Sequence, residues 1–326
     1  MNGMSGQGDW KIPASVQPKA ADYRYDLERA VSAVVALSTR IPEGAFTAEV
    51  LGTERAGNGV VIREDGLVLT IGYLVTEAES VWLTTHDGRS VPGHVMGFDA
   101  ATGLGLVQAL GHLDVPVLPL GDSRTLQVGD RAVLAGAGGR TRAVSVELVA
   151  RQEFAGYWEY VLDEALFTAP SHPHWGGTAL IGPAGDLLGI GSLQLQQGGG
   201  NSRAINMVVP IELLPPILDD LSARGRPNRP PRPWLGLYAT ESEEGIVVMG
   251  LADRGPAESA DLRVGDLIEA VAGEPVGDLA GLFRSVWALG EAGVRVPLTV
   301  RRDGRVLKLT LVSGDRERFL ISPPLH

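Results

Sequence analysis

The stretch VLPLGDSRTLQVGDRAVLAGA (residues 117–137) carries the pattern that decides the fold. Its apolar runs are short, and turns containing glycine separate them, which is typical of successive β-strands. Upstream, GNGVVI and LVLTIGYLV are β-rich runs on either side of Glu64-Asp65-Gly66, a turn signal. Residues from Pro210 carry apolar side chains at helical spacing. Many short strands before one terminal helix predict an all-β barrel architecture for the first 220 residues.

A proline-rich segment, SARGRPNRPPRP (residues 222–233), marks the clearest domain boundary, since proline favours a semi-rigid extended linker. Beyond it, strands, the amphipathic helix DLAGLFRSVWAL and a hairpin at Asp303-Gly304 predict a compact α+β unit. The predicted organisation is an N-terminal arm (1–28), two β-barrels (29–221, divided near residue 125), the linker (222–233) and the α+β unit (234–326).

Composition excludes several classes of protein. The 326 residues carry a formal net charge of −11, which argues against a nucleic-acid binder. Cysteine is absent, so disulfides and thiol catalysis are excluded. No apolar run is long enough to predict a membrane span. We expect no metal and no other cofactor.

Five motifs together resemble the HtrA-type serine proteases, in which a trypsin-like double six-stranded β-barrel precedes a PDZ domain. They are GNGVVIREDGLVLT (57–70), ATGLGLV (101–107), the opening stretch, GGTALIGPAGDLLGI (176–190), and PWLGL with GPAESADLRVGDLIEAVAGEPV (233–237 and 255–276). They occur in the family's order and with similar spacing. The resemblance implies a mainly β fold of this kind, followed by a small α+β PDZ domain.

The resemblance also locates the family's catalytic triad. Such a protease needs a serine nucleophile, a histidine base and a buried aspartate. The matching positions hold Tyr73 in TIGYLV, Gly103 in ATGLGLV and Trp175 in HWGGTAL. A phenol has a pKa near 10, and an indole has no nucleophilic atom. We therefore expect a degenerate triad and no enzymatic activity, that is, a pseudoprotease.

Two alternatives remain around SHPHWGG. Ser171 with His172 or His174 could form a displaced catalytic dyad, giving a serine endopeptidase with an unorthodox active site. The two histidines could also ligate a metal, although the sequence offers no third ligand. A surface loop rich in histidine and proline is the simpler interpretation. Tyr73 and Trp175 are expected to lie together and to fill the cleft, or to form an aromatic floor for a ligand.

The resemblance implies peptide binding by the PDZ domain. Such domains add an extended peptide to a sheet edge and hold its terminal carboxylate on backbone amides. Gly236 would permit the close approach of the backbone. The predicted peptide-binding residues lie in the carboxylate loop, the following strand and the helix over 279–289: Trp234, Leu235, Gly236, Leu237, Tyr238, Leu282, Phe283 and Val286.

The function predicted from the sequence is a non-catalytic scaffold, regulator or chaperone that binds unfolded or C-terminal peptides. A structural subunit of an HtrA-like oligomer is a further alternative, and family resemblance implies a homo-oligomer, a trimer. Nucleic acid and membrane spans are not expected. The first residues show no export signal, so we expect a cytoplasmic protein, or a periplasmic one if the chain has been trimmed.

Overall fold

A computed structural model describes residues 11–197 and 203–321. Within these ranges the chain divides into two compact units. The first contains the described residues of 1–152 and 164–227, and the second contains Glu153–Asp163 and Asn228–Ile321. The mainly β fold with two barrels followed by an α+β domain is confirmed.

The first α-helix of the first unit is short, α1 (Leu27–Ser32), and its N-cap Asp26 accepts a hydrogen bond from the Arg29 amide. Ile12 lies earlier in the chain and is buried in the core of the second barrel. The predicted N-terminal arm therefore contributes to the packing of this unit over its described part, while residues 1–10 lie outside the described residues.

The first barrel closes in the order β1-β2-β3-β6-β5-β4. Its strands are β1 (Val34–Arg40), β2 (Glu54–Val61), β3 (Leu67–Ile71), β4 (Ser80–Thr84), β5 (Ser90–Phe98) and β6 (Leu104–Ala109). A short helix, α2 (Ala48–Leu51), lies between β1 and β2. Val68 and Leu69 on β3 are both fully buried, because this strand is covered on both faces.

The second barrel closes in the order β10-β11-β12-β9-β8-β7. Its strands are β7 (Arg131–Ala135), β8 (Ala143–Gly156), β9 (Tyr160–Ala169), β10 (Ala179–Ile181), β11 (Leu187–Gln197) and β12 (Arg203–Pro210). A helix follows, α3 (Pro215–Arg224), and ends at Gly225 in the left-handed conformation with φ 74°. The helix thus extends three residues into the segment predicted as linker.

The second unit is a sheet with a helix against it. Its strands are β13 (Leu237–Ser242), β14 (Gly245–Leu251), β15 (Leu267–Val271), β16 (Glu274–Pro275), β17 (Arg295–Arg302) and β18 (Arg305–Val312), and its helices are α4 (Pro256–Ser259) and α5 (Leu279–Trp287). The sheet runs β13-β14-β15-β17-β18, so β13 is an edge strand. Asp278 caps α5 by accepting a hydrogen bond from the Gly281 amide at 2.6 Å.

Six short 3-10 turns complete the described structure: Ala20–Asp22, Gly72–Leu74, Ser123–Thr125, Arg140–Arg142, Ile211–Leu213 and Arg316–Phe319. No helix of the described residues is both long enough and apolar enough to span a membrane.

Candidate functional site

Tyr73 and Trp175 lie in contact within the first unit. Tyr73 sits in the turn after β3 and its hydroxyl donates to the Ser192 carbonyl at 2.9 Å. The Trp175 side chain hydrogen-bonds the same hydroxyl, with the indole N–H as the donor. Burial raises the pKa of the Tyr73 phenol above its usual value, and the bond from Trp175 only partly offsets this. The phenol is therefore protonated at neutral pH.

The backbone of Gly103 contacts the turn that carries Tyr73. Its carbonyl accepts a hydrogen bond from the Gly72 amide at 2.6 Å, and its own amide donates to the Asp99 carbonyl at 2.8 Å. Its φ of 79° is in the left-handed region. Asp99 was not among the predicted site residues; it is 4% exposed, and its carboxylate accepts hydrogen bonds from the amides of Ala101 and Thr102. The turn needs this side chain as a cap.

The segment SHPHWGG is only partly the surface loop that the sequence suggested. His172 is completely buried, whereas Pro173 is exposed and Ser171, His174, Trp175 and Gly176 are half-buried. His172 Nδ1 accepts the His174 amide at 3.1 Å, so Nε2 carries the proton and donates to the Arg142 carbonyl at 2.9 Å. Burial lowers the pKa of His172 to about 4. The imidazole is therefore a neutral group that ties the loop to the barrel.

The serine of the predicted displaced dyad hydrogen-bonds to a glutamine side chain. Ser171 Oγ accepts from Gln194 Nε2 at 3.0 Å. Both ring nitrogens of His172 hydrogen-bond to backbone groups, which leaves His174 as the remaining candidate base. Burial also lowers the pKa of His174, which leaves this half-buried ring neutral at pH 7.

Asn58 on β2 holds the same loop, although it was not among the predicted site residues. Its amide nitrogen donates to the carbonyls of His174 and Gly176 at 3.0 and 2.9 Å. Its amide oxygen accepts the Ala137 backbone amide at 2.8 Å. Among the residues that the structure describes, no three His, Asp or Glu side chains are grouped closely enough to hold a metal ion.

The carboxylate loop, defined as residues 234–237, lies in the second unit directly before β13. Gly236 has φ 74°, and a Cβ there would lie 3.1 Å from the Trp234 ring. Glycine is therefore required for this backbone shape. The loop amides converge on one carboxylate, that of Glu159: the Leu235 amide donates at 2.9 Å, Gly236 at 2.7 Å and Leu237 at 3.2 Å.

Glu159 belongs to the connection between β8 and β9 and is 9% exposed. Burial raises the pKa of its carboxyl to about 7, while the three backbone donors and Arg316 oppose that shift. The sequence contains nothing local that identifies this residue, because its partners lie 76 to 78 positions away.

The predicted groove residues divide into two sets. Leu282, Phe283 and Val286 on α5 are at most 1% exposed and belong to the core of the second unit. Tyr238 is half-buried, and its ring meets that of Tyr157 edge-on at 6.0 Å. The assignment of these residues, and of Trp234 and the loop, to a peptide groove stays a prediction, as does the assignment of the three triad positions.

Comparison with known proteins defines the class. The sequence model of the trypsin-like peptidase domain matches residues 57–190, and that of the PDZ domain matches residues 233–312. The chain therefore combines a trypsin-like peptidase domain with a PDZ domain.

Curated relatives define the family. HhoA of Synechocystis, described as a serine protease, is 30% identical over 81% of this chain and 69% of its own length. A DegP-like periplasmic serine endoprotease of Pseudomonas fluorescens is 28% identical over 79% of this chain but only 56% of its own length. The HtrA-type protease AlgW with a decapeptide superposes with a TM-score of 0.54 at 22% identity, covering 91% of this chain and 98% of that one. The chain belongs to the HtrA family of serine proteases with PDZ domains.

Two predictions are corrected by these relatives. The absence of enzymatic activity, predicted from Tyr73, Gly103 and Trp175, is contradicted because the relatives are named serine proteases and endoproteases. That prediction rested only on residue identity at three positions carried over from a resemblance. The cytoplasmic location is contradicted because relatives are named periplasmic. It rested only on the character of the first residues.

Proposed function

We propose that this HtrA-family chain recognises polypeptides through their carboxylate ends, using the carboxylate loop of its PDZ unit. The observation that carries the proposal is the convergence of the Leu235, Gly236 and Leu237 amides on one carboxylate. Backbone amides aimed at one point form a site for an anion, and β13 beside them is an edge strand that a peptide can extend.

The experiment measures binding of the full chain to an array of peptides with randomised C-terminal residues, each made as free acid and as C-terminal amide. We expect capture of free acids only. Gly236→Ala should reduce capture at least tenfold, because the added Cβ crowds Trp234 at a left-handed backbone position. Gly273→Ala is the matched control, since its φ is also positive at 90° but nothing lies within 4 Å of the added atom. Equal capture of acids and amides would refute the proposal.

Serine endoprotease activity is the second candidate, favoured by the names of the relatives and by the trypsin-like peptidase domain. Its chemistry has to come from groups other than Tyr73, Gly103 and Trp175, and Ser171 with His174 is the available nucleophile and base. Labelling of the full chain by a fluorophosphonate probe tests this directly. Label that disappears in Ser171→Ala and persists in Ser123→Ala would support the dyad, and absence of label would exclude it.

The names of the relatives and the family resemblance support a proposal for the location and the assembly of the chain. We propose a periplasmic site of action, because relatives of this chain are named periplasmic. A homo-oligomer is proposed on the family resemblance. Light scattering of the purified chain measures its mass, and a mass of 34.4 kDa would indicate a monomer and contradict assembly.

A further inference from the structure

The connection between β8 and β9 reproduces the contacts of a peptide on the PDZ unit. The three residues Tyr157, Trp158 and Glu159 are called the hairpin tip below. The Tyr157 carbonyl accepts the Ala239 amide of β13 at 3.0 Å. Two residues later, the Glu159 side chain supplies the carboxylate for the loop. A main-chain bond to the sheet edge followed by a carboxylate on backbone amides is how PDZ domains hold a C-terminal peptide.

The backbone of the hairpin tip indicates that the Glu159 side chain is needed there. Its φ is 61°, in the left-handed region where a residue with a side chain costs about 1 kcal/mol. Three-residue hairpin connections usually place glycine at such a position. A glutamate in this strained conformation persists when its contacts outweigh the strain. Here those contacts are the hydrogen bonds to Leu235, Gly236 and Leu237.

Both walls of the expected groove contact the hairpin. On the side of α5, Arg284 pairs with Glu153 and Asp163, one on each arm of the hairpin, at 2.5 Å in both cases. Val161 is 7% exposed and packs in the core of the second unit. On the side of β13, the rings of Tyr157 and Tyr238 meet. The segment Glu153–Asp163 is accordingly part of the second unit.

We propose that the hairpin tip is an intramolecular ligand of the carboxylate loop, and that external peptides with a free C-terminal carboxylate bind by displacing it. The inference rests on the proposed peptide binding and specifies its regulation. The two ligands need the same amides, so they cannot bind together. The apparent affinity for an external peptide is then the intrinsic affinity multiplied by the fraction of chains with the loop vacant.

The test uses the full chain and a fluorescein-labelled heptapeptide, EFAGYWE, which copies residues 153–159 and ends in a free carboxylate. Fluorescence anisotropy should show at least tenfold tighter binding to Glu159→Ala than to the original chain, because the loop is vacated. Glu159→Gln keeps the size but removes the charge, and should give an intermediate affinity. Glu147→Ala is the matched control, an exposed glutamate on β8, and should leave the affinity unchanged.

The outcomes separate the two proposals. Equal affinity of the original chain and Glu159→Ala would overturn the intramolecular ligand while leaving peptide binding intact. If no chain binds the heptapeptide or the peptide array, peptide binding fails. Hydrogen exchange then still decides the inference: the Leu235 and Gly236 amides should be protected in the original chain and should exchange at least tenfold faster in Glu159→Ala and Glu159→Gln. Fast exchange of these amides in the original chain would overturn the proposal without any variant.

Discussion

His172 shows how a single buried side chain makes the first unit sensitive to pH. The ring is enclosed, its Nδ1 accepts the His174 amide and its Nε2 donates to the Arg142 carbonyl. Protonation would place a hydrogen on Nδ1, facing the His174 amide that donates to it, and would put a positive charge in a buried site. Desolvation therefore holds the pKa of His172 at about 4, below its usual value of 6.5.

The sign of the effect follows from linkage. Between pH 6.5 and about 4 the unfolded chain binds a proton at His172 that the folded chain does not, so stability falls as pH falls. The loss over this window is about 3 kcal/mol. We expect urea unfolding of His172→Gln to show a smaller dependence on pH in this range than the original chain. His86→Gln, at an exposed position, is the control, and an unchanged pH dependence in His172→Gln would contradict the assignment.

At the scale of elements, the loop between β9 and β10 is fixed by backbone contacts to β2. The Asn58 backbone amide donates to the Gly176 carbonyl at 2.9 Å. Gly177 then passes so close to β2 that a Cβ on it would lie 1.8 Å from the Asn58 carbonyl oxygen. The loop that carries Trp175 can therefore take this position only because residue 177 is a glycine.

Gly177→Ala tests this close approach. The substitution adds a methyl group against backbone that cannot move aside, at φ 76°, so we expect a loss of about 2–4 kcal/mol in the free energy of unfolding. Gly88→Ala has the same kind of backbone, with φ 89°, and open space around it. It should lose only about 1 kcal/mol. Equal losses in the two variants, measured by chemical denaturation, would show that the contact with β2 is unimportant.

Short sequence patterns were enough to predict the strands, whereas the surroundings of His172 and Glu159 depend on contacts with residues distant in sequence. The turn at Glu64-Asp65-Gly66 and the capped helix α5 depend on neighbours in sequence, so a pattern can reveal them. The burial of His172 could not be read from a segment rich in polar residues and proline, because its enclosure comes from Arg142 and Asn206. The Glu159 contact was invisible for the same reason, since the loop and the glutamate are far apart in sequence.

At the scale of the whole molecule, the second unit is not formed by one continuous stretch of sequence. The segment Glu153–Asp163 is encoded within the second barrel's strands β8 and β9, yet it belongs to the unit formed by Asn228–Ile321. Val161 of this segment lies in the core of the second unit, where it packs with Leu235, Phe283 and other buried residues. The PDZ unit is therefore assembled from two separate parts of the chain.

Val161→Ala tests this assembly. Replacing this buried valine by alanine should lower the free energy of unfolding of the second unit by about 1–2 kcal/mol. We expect hydrogen exchange in β17 to accelerate while exchange in β1 stays unchanged, since only the former belongs to the second unit. Val128→Ala, at a residue that is 62% exposed, is the control. Equal acceleration in both strands would contradict the separation into units.

The split origin of the PDZ unit has a consequence for how this module can be transplanted. A gene fragment that starts at the proline-rich linker would encode the carboxylate loop, β13 and α5 but not Glu153–Asp163. A chimaera that exchanges PDZ modules between relatives at this linker would likewise separate the receptor from Val161 and Glu159, which stay with the recipient. The linker is thus a convenient boundary in the sequence, but it is not the boundary of the folded unit. A grafted PDZ module has to be redesigned at the surface that Glu153–Asp163 covers in this protein.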